Sequence, residues 1–148
     1  MTTMNQTKEE TDLKKCVLII DSAQPTGIIA NTASVLSITL GKYAGNIIGH
    51  DICDRQGGIH LGITKIPIPI LGAVADKIKE IRKHLLSLDR EDLIIVDFSD
   101  LAQHSKTYEQ YETAMLTTAE NEIHYRGIAL YGDKKLINKA TGNLSLIR

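Results

Sequence analysis

The sequence predicts an α/β fold, a three-layer sandwich built on a mixed, mainly parallel sheet. Three observations predict it. Residues 17–20 and 93–96 are continuous apolar runs of strand length, the pattern of strands buried on both faces. Two segments carry helical periodicity: Ile29, Ala33, Leu36 and Leu40, then Val74, Ile78, Ile81 and Leu85. The two kinds of segment alternate along the chain, as they do in sheets covered by helices.

Each element follows from local chemistry. Residues 1–14 are polar and charged and read as a frayed or disordered tail. The first strand covers 15–21 and ends on Asp21. Pro25 suits the first turn of a helix, which is expected over 27–42. The second face of that helix, Ala30, Ser34, Ser37 and Gly41, is small and uncharged. Such a face predicts burial against another element or a second subunit. Strands are expected over 46–53 and 59–64. The glycine-containing turn at 54–58 joins them as a hairpin that makes the sheet mixed.

Pro67 and Pro69 exclude a central strand over 66–71, because each removes a ladder donor. The isoleucines between them call for burial in an edge or crossover segment. In the next helix Lys77, Lys79, Glu80, Arg82 and Lys83 oppose the apolar stripe, as on an ordinary surface helix. A strand over 93–98 carries Asp97 near its end, and a turn over 99–103 follows. Thr107 and Gln110 fit a capping box opening a helix to about 118. The last strand covers 127–132. A helix over 134–140 is expected to stop at Gly142 in the left-handed conformation. The apolar segment 144–147 is expected to dock.

Bulk composition narrows the function classes. The 148 residues suit one domain, expected over 15–148, and 43% are hydrophobic against 24% charged. The 17 basic and 18 acidic residues leave a net charge of -1, without the basic surplus that phosphate neutralisation demands. A nucleic-acid partner is therefore not expected. Cys16 and Cys53 make neither a disulfide framework nor a zinc pattern, and Cys16 is expected to be buried. No apolar run reaches the ~20 residues of a membrane span, and the charged start is unlike a secretory signal. A cytoplasmic protein without membrane association or cofactor is expected.

The segments LIIDSAQPTGIIANTASVLSITLGK, HLGITKIPIPIL, LIIVDFSDLAQHSKTYEQY and GIALYGDKKLINKATGNLSLIR resemble an uncharacterised bacterial family of unknown function. That family is grouped with the peptidyl-tRNA hydrolase II-like fold. The resemblance covers 15–148. Thr141-Gly142-Asn143-Leu144-Ser145-Leu146 resembles the closing TGxLxL of the hydrolase, and 17–33 resembles its strand–Gly–helix start. The resemblance implies a small, often dimeric sandwich with a mixed sheet. The hydrolase motif GKxAAQxxHA falls on 27–35, where Gly27 and Ala30 match. Ile28, Thr32 and Val35 stand at its lysine, glutamine and histidine positions. The fold is thus expected to be shared and the hydrolase activity absent.

The candidate sites lie at predicted strand ends, where ligand crevices form in such sheets. A helix starting near Gly27 offers free N–H groups to an anion, with Thr26, Asn31 and Thr32 adding side-chain hydrogen bonds. Asp21 and Asp97 each end an apolar strand. In neighbouring strands they would face one cleft as an acid–base pair; otherwise each caps its own loop. His50, Asp51, Asp54 and His60 gather at the hairpin, but their spacing matches no metal-ligand pattern, and no metal is expected. Tyr131 and Lys135 read as surface packing. These features support a small-ligand-binding protein or an enzyme of unknown substrate. The uncharged first helix and the apolar 66–71 segment support the alternative, a non-catalytic homodimeric interaction module.

Overall fold

The computed structural model describes residues 13–148. The expected tail falls largely on 1–12, outside the described residues, and the first strand already includes Lys14. The elements in order are β1 (Lys14–Asp21), α1 (Thr26–Tyr43), β2 (Ile52–Cys53), β3 (Ile59–His60), β4 (Ile70–Ala73) and α2 (Ala75–Ser87). Then follow β5 (Ile94–Ser99), α3 (Asp100–His104), α4 (Tyr108–Thr117), a 3-10 turn (Glu120–Glu122), β6 (Tyr125–Asp133), α5 (Lys134–Thr141) and β7 (Ser145–Leu146).

Five strands form the main sheet in the order β5-β6-β1-β4-β7. Only β1 and β4 run parallel; β6 is antiparallel to both β1 and β5, and β7 is antiparallel to β4. The sheet is therefore mainly antiparallel, which corrects the mainly parallel sheet expected from the sequence. Continuous apolar runs report coverage on both faces, not strand direction, and here helices cover both faces of a mainly antiparallel sheet. Alternate residues of β1 make the point. Cys16, Leu18 and Ile20 pack with Leu36 and Leu40 of α1, whereas Val17 and Ile19 pack with Ile78, Ile81 and Leu85 of α2 and Ile137 of α5.

The hairpin forms, but it pairs only with itself: Ile52 opposes His60 and Cys53 opposes Ile59 in a separate two-stranded sheet, and one further bridge joins Ile48 to Thr64. The main sheet is mixed because of β6 and β7 instead. Gly62 is required where the arms meet, since a side chain there would occupy the position of the Gly49 carbonyl. Strand β4 begins directly after Pro69, where the ladder donors return. Ile66, Ile68 and Ile70 pack on the α1 side of the core, so this segment is covered rather than free for a partner.

Helix α1 packs closely on the sheet because β6 offers Gly127. A Cβ there would lie 3.0 Å from both the Ile19 carbonyl and the Thr32 methyl. The residues expected as a turn after β5 form α3, capped by the buried Ser99, whose hydroxyl accepts from the Ala102 N–H. Thr107 caps α4 by accepting from the Gln110 N–H at 3.2 Å. Gly142 closes α5 in right-handed backbone at φ -62°, not the left-handed form expected. Residues 144–147 dock as expected, with Leu146 opposite Leu71 and the Ile147 N–H donating to Ile70. Among the described residues no helix is long and apolar enough to cross a membrane.

Candidate functional site

The first four candidate ligand residues share α1 but not one surface. Thr26, Gly27 and Asn31 are exposed, while Thr32 is buried and its hydroxyl donates to the Ile28 carbonyl at 2.7 Å. Pro25, not Thr26, occupies the position before the helix, and no side chain caps it.

The two aspartates are held apart. Strand β6 stands between β1 and β5, and each carboxylate has partners of its own. Asp21 is buried at the end of β1, where it accepts from the Ala23 N–H and the Gln24 side-chain amide, each at 3.0 Å. It organises the loop between β1 and α1. Asp97 lies on β5 opposite Ile128, on the α2 side of the sheet. The Arg82 Nε donates to its Oδ2 at 3.1 Å.

A larger group forms around that ion pair. The Arg82 guanidinium stacks 4.7 Å from the centroid of the buried Tyr125 ring and lies 4.0 Å from Glu120. Burial raises the Tyr125 and Tyr111 hydroxyls above the ordinary phenol range. The negative charge of Asp97 pushes Tyr111 in the same direction.

Strand β5 is an edge of the sheet, and its outer side is not paired with another described strand. Thr39 and Tyr43 of α1, residues Ile94, Ile95, Val96 and Asp97 of β5, and Tyr111 of α4 line a groove of about 460 Å³ along it. This volume lies within the ~300–1,000 Å³ of small-molecule sites. Of the sequence candidates, only Asp97 lines the groove. Arg82, Tyr43 and Tyr111 were not anticipated. The available signal was Arg82 itself, directly after Ile81 at the margin of the apolar stripe of α2.

Of the hairpin residues only Asp54 and His60 are seen to meet, at the turn. Asp54 Oδ1 accepts from the Gln56 and Gly58 N–H groups, each at 2.9 Å, and its Oδ2 lies 2.8 Å from His60 Nε2. The His60 contact, followed by these backbone donors, holds the Asp54 carboxyl below its usual range. Asp51 accepts from the Gly62 N–H instead. Among the described residues no group of three or more His, Cys, Asp or Glu is placed to hold a metal ion. Tyr131 packs in the core beside Cys16, at the opposite end of β1 from Asp21. Lys135 is exposed.

Comparison with known proteins adds fold and family. No curated protein matches the chain. A solved structure of a protein of unknown function from Agrobacterium tumefaciens superposes with a TM-score of 0.83 at 17% identity, covering 92% of this chain and 98% of that one. At that identity the likeness speaks for the fold alone. The family model described as "Protein of unknown function (DUF2000)" matches residues 14–148. This match takes in every element from β1 to β7, and on it the chain belongs to the DUF2000 family.

Proposed function

We propose that this chain is a small-ligand-binding protein whose site is the groove along β5, and that it lacks peptidyl-tRNA hydrolase activity. One observation carries the reading: an apolar floor from Ile94 and Val96 meets a few polar groups, Asp97, Tyr43 and Tyr111. That make-up is typical of small-molecule sites. Arg82 offsets the charge of Asp97, so the groove favours a neutral, mainly apolar molecule bearing a hydroxyl or amide. The absence of hydrolase activity rests on Ile28, Thr32 and Val35, which replace the hydrolase lysine, glutamine and histidine.

Kinship to the peptidyl-tRNA hydrolase II-like proteins, with three layers, is part of this reading. Its support is the sheet packed by helices on both faces and the closing segment 141–146. Two free thiols, Cys16 and Cys53, favour a cytoplasmic location.

Amide chemical shifts measured during titration with indole and with N-acetyl-leucine amide test the binding site. Saturable shifts at Ile94–Asp97 and Tyr111, weakened at least tenfold in Tyr111→Ala, are expected. No saturable shift with either probe up to millimolar concentration refutes this site. Turnover of peptidyl-tRNA by the full chain refutes the loss of hydrolase activity.

A further inference from the structure

Helices α2 and α5 lie on the same face of the sheet. Ile78, Ile81 and Leu85 of the one and Ile137 of the other enter the same core. Between the two helices runs a crevice of about 360 Å³, within the ~300–1,000 Å³ of small-molecule sites. Helix α2 and the residue that caps it contribute Lys77, Glu80, Ile81, His84 and Leu88, and α5 contributes Leu136, Lys139 and Ala140. The spacing of three and four residues keeps each set on one side of its helix.

The lining is divided by chemistry. Ile81 is buried, Leu136 and Ala140 are half-buried against the core, and Leu88 keeps 38% of its surface in water. The polar groups stand at the rim, where Glu80, His84 and Lys139 are exposed. Lys77 pairs with Glu80 at 3.3 Å, which offsets the one acid of the crevice. The Lys139 ammonium and the His84 ring have no hydrogen-bond or ionic partner among the described residues. Helix α5 itself carries Lys134, Lys135 and Lys139 and no acid. One uncompensated positive charge therefore overlooks an apolar floor.

We propose that this crevice binds a single-tailed anionic amphiphile, a carboxylate on an aliphatic chain of medium length. The tail covers Leu88, Leu136 and Ala140, and its burial drives the binding. The carboxylate accepts a charge-assisted hydrogen bond from the Lys139 ammonium, and the His84 ring offers a second donor. The size fits. At ~30 Å³ for a group as large as water, the crevice takes on the order of ten non-hydrogen atoms, the size of octanoate. The charge fits one anionic group. A polyphosphate calls for several donors on each phosphate, and a single free ammonium does not supply them. The crevice shares no residue with the β5 groove, so either site can fail without the other.

Amide chemical shifts of the full chain, followed during titration with octanoate below its micelle concentration, test the proposal. Octanol and acetate serve as probes that lack the charge or the tail. Saturable shifts are expected over 77–88 and 136–140, with binding roughly tenfold weaker for octanol, for acetate and for octanoate with Lys139→Gln. Lys139 is exposed, so the variant is expected to keep the wild-type melting temperature. No saturable shift over these residues up to millimolar octanoate overturns the proposal. Octanol that binds as tightly as octanoate, or a variant that binds octanoate as tightly as wild type, overturns it by removing the role of the charge. Shifts confined to Ile94–Asp97 and Tyr111 overturn it in favour of the β5 groove. Co-sedimentation with phosphatidylglycerol vesicles without an octanoate shift overturns it in favour of a membrane surface.

Discussion

The ion pair at the groove can be dissected by a double-mutant cycle on Arg82→Met and Asp97→Asn. Methionine keeps an apolar stem against the Tyr125 ring, and asparagine keeps the shape and an acceptor for Arg82. The side chains of Arg82 and Asp97 are 19% and 20% exposed. That places the pair between exposed pairs, worth about 0.2–1 kcal/mol, and buried ones, where removing one partner costs about 3–5 kcal/mol. A coupling of about 1–2 kcal/mol is therefore expected. Arg82→Met also loses the cation–π contact, about 1 kcal/mol, so it should destabilise by about 2–3 kcal/mol and Asp97→Asn by about 1–2 kcal/mol. Urea denaturation with unchanged m-values reads all four corners of the cycle. Additivity within about 0.3 kcal/mol would show that the pair is not coupled in solution and would refute the electrostatics assigned to the groove.

Two further predictions rest on the core. Gly127→Ala pushes a methyl group against the Ile19 carbonyl and the Thr32 methyl, and should cost about 1–3 kcal/mol; an unchanged melting temperature would mean that α1 is free to lift off β6. Burial pushes the Cys16 thiol from the usual 9.0 up to about 11. The unfolded chain then ionises first, so the contribution of Cys16 is intact below pH 9 and is lost as pH rises toward about 11. At pH 8 Cys53 alone should react with a thiol reagent in the folded protein and both thiols in urea; rapid labelling of both without denaturant would contradict the burial of Cys16.

Apolar runs located β1, β5 and β6, and the spacing of Ile78, Ile81 and Leu85 located α2, because burial leaves its period in the residue types. Strand direction left no such trace: β6 is as apolar as β1 and runs the other way. The Asp54 turn was legible, since it satisfies its own N–H groups locally. Whether the hairpin joined the main sheet was not, because exposed isoleucines and buried ones read alike. At the candidate site, Asp97 interrupts an apolar strand and so attracts notice. Arg82 follows Ile81 at the margin of the apolar stripe, but only the fold sets it beside Asp97 and Tyr125. Tyr43 and Tyr111 come together only through the packing of α1 and α4 around the edge of β5.

The position of β1 has a consequence for synthesis. It is the middle strand, yet one of its two neighbours is β6, with Lys14 opposite Asp133. A ribosome adds about 5–20 residues per second, so a nascent β1 waits on the order of 5–20 s for that partner. Through that interval its buried run of Cys16, Val17, Leu18, Ile19 and Ile20 lacks β6 on one side and Ile137 of α5 on one face, although α1 and α2 have already been made. Pairing this distant also makes folding slow relative to a helical bundle of the same length. Nascent-chain aggregation, rather than the equilibrium stability of the finished domain, is therefore the vulnerability that this strand order creates, and chaperone capture of chains stalled before β6 is its expected signature.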